Sequence, residues 1–157
     1  MIVVTNTGPL IALASIHRLD LLPTLFGSLT VAATVVEECA VGGPIAVPDL
    51  RGLEWLTVIE AAPSNDWPTL RNLDRGERDT IAIALTCRAG LVIIDERIGR
   101  HAAAQLGLRI TGTLGILAKA KTTGLIASFT TATDAMRKAG VRFHPALVGK
   151  IAAVVGE

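Results

Sequence analysis

The sequence predicts an α/β fold of three layers, with helices covering both faces of a central parallel sheet. Two observations predict it. Short β-branched and aliphatic runs alternate with helical patterns along the chain, and such alternation implies right-handed crossovers between parallel strands. One run, LVII at 91 to 94, has no polar residue, as a central strand covered on both faces requires.

The first strand is VVT, 3 to 5, and it gives way at Asn6 to a Thr-Gly-Pro turn. A helix follows over about 9 to 15, with Pro9 suited to its first turn, and a second over 18 to 26. LTVAA, 29 to 33, is the next strand, and the helix at 34 to 41 opens with Thr34 and Glu37 at capping-box spacing. GGPIAVPDLRG, 42 to 52, and APSNDWP, 62 to 68, are loop-like by Gly and Pro content and flank the strand WLTVI, 55 to 59. Asp74 and Glu77 have capping-box spacing at the start of a helix over 75 to 89. LVII leads to a helix over 97 to 106, and RIT, 109 to 111, leads to one over 113 to 123. Helices at 130 to 139 and at 145 to 155, the latter opened by Pro145, complete the chain. The last carries Leu147, Ile151 and Val154 along one stripe, a face for covering the sheet or meeting a partner.

At 157 residues the chain fits one domain, 1–157, large enough to bury a core without staples. There are three Phe, two Trp and no Tyr among 50% apolar residues, so that core is aliphatic. No apolar run approaches the roughly 20 residues of a membrane span, and the N-terminus lacks the pattern of a secretory signal. A soluble, cytoplasmic protein without a membrane partner is therefore expected. Cys39 and Cys87 lie inside apolar helical patterns without metal or redox spacing, and read as small buried hydrophobes. A formal charge of +1 argues against an indiscriminate nucleic-acid coat but allows a local basic patch.

Ligands of open α/β sheets bind where strand ends hand over to helices. Asp95 directly follows LVII and stands at that edge, with N-cap of the next helix as its structural role. Glu96 falls in the first helical turn, where a carboxylate also suits the dipole. Glu77 and Asp74 can cap one another, and Asp79, two residues on, faces elsewhere. Glu37 completes the spacing with Thr34, which leaves Glu38 without a local partner on a largely apolar helix, in need of a metal, a cation or solvent. Converging carboxylates repel unless a cation neutralises them, and hard oxygen ligands suit Mg²⁺ or Mn²⁺, which can activate water against a phosphodiester.

Thr111, Gly112 and Thr113 lie at a strand end before a helix, where backbone N–H groups can meet a phosphate. Arg97 and Arg100 flank Asp95 and can hold a nucleic-acid backbone. His17, His101 and His144 make no metal-spaced set. The chain has no GxGxxG after its first strand, no GxxxxGK[ST] and no GxSxG, which weighs against dinucleotide, nucleoside-triphosphate and acyl-transfer chemistry. A phosphatase built on an aspartate nucleophile after the first strand meets Asn6 there instead.

Taken in order, VVTNTGPLIALASIHRLDLLPTLFG, ATVVEE, LDRGERDTIAIAL, LVIIDER and ITGTLGILAKAK resemble a PIN-like domain, nearest to the small prokaryotic proteins related to VapC toxins. The resemblance covers residues 2 to about 125 and leaves 126–157 to complete the fold or to form an interface. It implies an α/β/α fold, an acidic cluster binding Mg²⁺ or Mn²⁺, and endoribonuclease activity restrained by a cognate antitoxin, commonly in a homodimer. Position by position, the family's first acidic residue falls on Asn6, with Thr7 beside it, and the second on Glu38. The third falls on Glu77, with Asp79 as the competing register, and the last on Asp95, with Glu96 sharing the role. Asn6 departs from the pattern, since the better-known nucleases carry aspartate there. An amide offers an oxygen but removes a full negative charge and cannot act as a base, so a module that binds RNA or protein without cutting is the alternative.

Overall fold

The computed structural model describes residues 1–62 and 67–157, so the middle of the 62–68 loop lies outside the described residues. Five strands form one sheet: β1 (Val3–Thr5), β2 (Leu29–Ala32), β3 (Leu56–Ile59), β4 (Leu91–Ile93) and β5 (Ile110–Thr111). Every pairing is parallel, in the order β3-β2-β1-β4-β5. The chain therefore steps outward from β1 to β3, crosses back over β1, and continues on the other side with β4 and β5. The order reverses between β1 and β4, where Thr5 is in register with Ile93.

The helices are α1 (Thr7–Ser15), α2 (Leu21–Phe26), α3 (Ala33–Val41), α4 (Arg75–Thr86), α5 (Arg97–Gln105), α6 (Thr113–Thr122), α7 (Phe129–Lys138) and α8 (Pro145–Val154). Two 3-10 turns, Leu50–Gly52 and Pro68–Leu70, flank β3. The α4 helix packs across β1, β2 and β4 with α5 beside it, whereas α1, α6 and α7 pack on one another and α3 touches both α1 and α4. This division follows from the right-handed crossover rule once the strand order reverses. Each expected strand and helix is present, with boundaries differing by a few residues.

The core is aliphatic, as the composition requires. Val4, Leu10, Leu13, Leu21, Ile93 and Ile94 are fully buried, and Phe129 is the one fully buried aromatic side chain among the described residues. Each such leucine or isoleucine contributes about 1.5–3 kcal/mol by leaving water. Cys39 is buried and Cys87 partly buried against this core, and burial beside the Glu38 charge pushes the Cys39 thiol up to about 11. Both cysteines behave as the small hydrophobes expected.

One expectation narrows and one fails. Of the two roles open to the final helix, covering the sheet is not the one it takes: α8 packs on α6 and α7, buries no residue fully, and leaves Leu147 48% and Val154 85% exposed. Thr34 and Glu37 do not cap α3, which starts one residue earlier with Ala32 at the N-cap and no side-chain cap. The Thr34 hydroxyl instead donates to Asp79 Oδ2 of α4 at 2.9 Å, a partner 45 residues away that local spacing cannot reveal.

What holds α8 is its far end. Glu157 accepts from Ser128 Oγ (2.8 Å), from the Phe129 N–H (2.6 Å) and from the Thr130 N–H (3.1 Å), and Lys121 Nζ stands 3.7 Å from its Oε2. The Phe129 and Thr130 donors are otherwise unsatisfied amides of the first turn of α7. They hold the Glu157 carboxyl down to about 2, the Ser128 hydrogen bond being the largest cause. Its contribution is present above the ordinary carboxylate range and fades as pH falls from about 4.5 toward 2. In Glu157→Gln, amide exchange of α8 and the first turn of α7 is expected to accelerate while the β1 and β4 amides keep their protection. Unchanged α8 exchange would mean that the clasp holds nothing.

Candidate active site at the strand-order reversal

Asn6 directly follows β1, and its backbone N–H donates to the Ile93 carbonyl (2.9 Å), tying the ends of β1 and β4 together. It occupies the N-cap position of α1, but its side chain does not cap that helix. Asn6 Oδ1 accepts from Thr80 Oγ1 on α4 at 3.3 Å, and the residue is 4% exposed. Thr7, Gly8 and Pro9 are already the first turn of α1, and from there the Thr7 hydroxyl reaches α3 and donates to Glu38 Oε2 at 2.5 Å.

Glu38 lies in space that Gly76 leaves open, because a Cβ at residue 76 would overlap the Glu38 carboxylate. Glycine at that position leaves room for the exposed Glu38 carboxylate beside the first turn of α4. The next residue, Glu77, is 7% exposed, and a Cβ on Gly99 of α5 would come 3.6 Å from its Oε1. Burial raises the Glu77 pKa, and the neighbouring charges of Asp74, Glu96 and Glu38 push the same way. The backbone N–H of Glu77 does bond Asp74 Oδ1 (2.8 Å), so the expected cap is half formed while the side chain turns inward. Asp79 faces away, held by Thr34 and by Arg78 at 3.5 Å.

Asp95 follows β4 but does not cap the helix that comes next. The N-cap of α5 is Glu96, whose side chain is exposed and makes no cap bond. Asp95 reaches across to α6, where Oδ1 accepts the Thr113 N–H (2.7 Å) and Oδ2 accepts the Thr113 hydroxyl (2.5 Å). Gly112 permits that approach, since a Cβ there would stand 2.6 Å from Asp95 Oδ1. Thr113 is fully buried with its hydroxyl engaged, so it positions Asp95 and offers nothing to a ligand. Thr111 is half-buried at the cleft wall.

Arg100 turns back to donate to the Ile94 carbonyl (2.9 Å) and braces the end of β4. Arg97 is exposed and makes no salt bridge among the described residues. Glu38, Glu77, Glu96 and Asp95 likewise make no salt bridge among the described residues, and Glu77 feels the charges of Glu96 and Glu38. The structure thus gathers Asn6, Thr7, Glu38, Glu77, Asp95 and Glu96 around the strand-order reversal and sends Asp79 elsewhere.

Among the described residues no three His, Cys, Asp or Glu side chains stand close enough to wrap a metal ion. The donor chemistry nonetheless fits Mg²⁺ or Mn²⁺, whose sites commonly use one or two carboxylates and keep several waters. Glu77 meets that description, a buried acid repelled by Glu96 and Glu38 and lacking a cation to relieve it.

A cleft of about 660 Å³ opens from Asp95 and Glu96 toward the segment joining α7 to α8. Its walls include Arg97, Arg142, Phe143 and His144, the last three absent from any sequence expectation of the site. A basic, an aromatic and an imidazole side chain in a row before Pro145 was the available signal, but nothing local says that this loop returns to β4.

A family model described as a PIN domain matches residues 2–157 and so extends through α7 and α8. No curated protein and no solved structure matches the chain.

Proposed function

The chain belongs to the PIN-domain family, whose members are in general nucleases, and from that premise we propose that it is a divalent-metal-dependent endoribonuclease. It is read as the toxin of a toxin–antitoxin pair of the VapC-related kind, a cytoplasmic homodimer restrained by a cognate antitoxin protein. The observation that supports the reading best is Glu77, an acid buried beside two further carboxylates with no basic side chain to neutralise them. Such a group stays ionised at neutral pH only against its own burial, and a bound cation removes that cost.

Glu77, with one of its neighbours Glu38 and Glu96, would hold Mg²⁺ or Mn²⁺ through hard oxygen donors, the remaining positions being taken by water. When bound, the ion supplies an acidified water and neutralises charge on a phosphodiester. Thr7 fixes the Glu38 rotamer through its hydroxyl. Thr113 fixes Asp95 with two hydrogen bonds, leaving the carboxylate to orient the attacking water from the β4 side. Arg97, unpaired among the described residues, draws the RNA phosphate to the mouth. Asn6, held by Thr80, orders the floor between the two carboxylate groups.

RNA cleavage with Mg²⁺ or Mn²⁺ tests the reading in wild type, Asp95→Asn and Glu38→Gln. Each substitution is expected to lower the rate by about a hundredfold, near the upper end of what metal-site supporting residues cost. Equal residual activity in all three would sink it.

Asn6 favours a second reading, a module that binds RNA or protein without cutting. Its Oδ1 is already engaged by Thr80, and the position supplies no charge to the site.

A further inference from the structure

We propose that the cleft between β4 and the α7–α8 segment is a nucleobase subsite in which Phe143 stacks one unpaired base of the strand. Arg142 and Arg97 hold the flanking phosphates. The proposal rests on the nuclease reading for its neighbour but on separate residues for itself.

The cleft lies within the 300–1,000 Å³ range of small-molecule sites and is continuous with Asp95 and Glu96. Its lining combines apolar side chains, among them Ile11, Leu114, Leu147 and Ile151, with the cationic Arg97 and Arg142. Apolar surface joined to basic side chains is complementary to a base carried on a phosphate backbone, and proteins bind single strands with that combination. The chain has only three Phe and two Trp, and Phe143 is the one aromatic residue in this lining. It is half-buried and packs in part against the core, and it also borders the neighbouring α7–α8 groove.

The loop's charges also point one way. Arg142 is exposed and makes no salt bridge among the described residues. His144 Nδ1 accepts the Ala146 N–H at the start of α8, which places the proton of the neutral ring on Nε2 as an outward donor. No acid from α7 or α8 lines the cleft, whose two carboxylates, Asp95 and Glu96, are at the opposite end. A base paired in a duplex cannot enter such a slot, so the strand must be single there.

The test is binding of a fluorescent single-stranded oligoribonucleotide to the full chain without added metal, where no cleavage is needed. Phe143→Ala and Phe143→Leu are expected to weaken it by about 5- to 100-fold, the worth of one stacked base, and Phe143→Trp to retain it. Leucine preserves the packing, so a loss in Phe143→Leu at an unchanged melting temperature is not a folding effect. Arg142→Ala should reduce the slope of log affinity against log salt by about one. Annealing the complementary strand should abolish the Phe143 dependence.

Wild-type affinity in Phe143→Leu overturns the subsite even if the protein cuts RNA. Phe143-dependent binding in a protein that cuts nothing leaves the subsite standing and removes the nuclease reading. Failure of any oligonucleotide to bind overturns the proposal and leaves the cleft to a protein partner.

Discussion

Glu77→Gln is expected to lower metal-dependent cleavage by at least about a hundredfold and, without metal at neutral pH, to raise the melting temperature. The first effect follows because residues that merely support metal ligands already cost 10- to 100-fold when changed. The second follows from burial. Glu77 has a raised pKa, caused first by burial and then by Asp74, Glu96 and Glu38, so the folded protein bears an electrostatic cost whenever Glu77 is ionised. The sign is fixed by linkage: the cost is absent below the ordinary value of 4.5 and is fully in force once pH has risen through the raised pKa. The stability gap between variant and wild type should therefore close in acid and open toward neutrality. Mg²⁺ or Mn²⁺ should close it again at pH 7 by stabilising the wild type alone. A variant that melts lower than wild type at pH 7, or that cuts RNA as well, would show that the Glu77 charge is neither a cost to the fold nor a ligand to the metal.

Short-range patterns were legible in the sequence because their causes are local. LVII reads as a central strand because both of its faces are covered, and β4 lies between β1 and β5 with Val92 and Ile93 fully buried. Asp74 capping Glu77 is a three-residue relation and is present. Relations that fail are those whose partner comes from elsewhere. Thr34 prefers Asp79 to its own helix, and Asp95 prefers Thr113, 18 residues on, to the helix it precedes. In both cases a short side chain at a helix start found a better donor or acceptor across a packed interface.

The same distinction runs through the candidate site. Glu38 stood out in the sequence because it lacked a local partner, and the structure brings it to Thr7 and Gly76. Glu77 and Asp79 could not be separated by spacing, whereas packing separates them: one turns toward α5, the other toward α3. Arg142, Phe143 and His144 could not be placed at all, since their relation to β4 depends on how α8 folds back. That helix carries no fully buried residue, so no burial pattern announces its position.

Asn6→Asp is expected to destabilise the metal-free protein and to strengthen divalent-metal binding, and the sizes of the two effects decide between the nuclease and the silent module. Aspartate at a 4%-exposed position adds a charge near Glu77 and Glu38, where no cationic side chain is paired among the described residues. A buried polar group left uncompensated costs about 1–3 kcal/mol, and more when charged. For a chain of this length that is a fall of roughly 2–12 °C in melting temperature. Thr80 offsets part of it, since its hydroxyl can donate to a carboxylate oxygen as it does to Asn6 Oδ1. Saturating Mn²⁺ should recover the loss, because the added charge repels its neighbours only while the site is empty. If wild type already binds Mn²⁺ and cuts RNA, the substitution should change the rate modestly, and Asn6 is a tolerated variation in a working site. If wild type binds no metal at millimolar concentration and Asn6→Asp confers both binding and cleavage, the missing charge at the end of β1 is what keeps this member of the family silent.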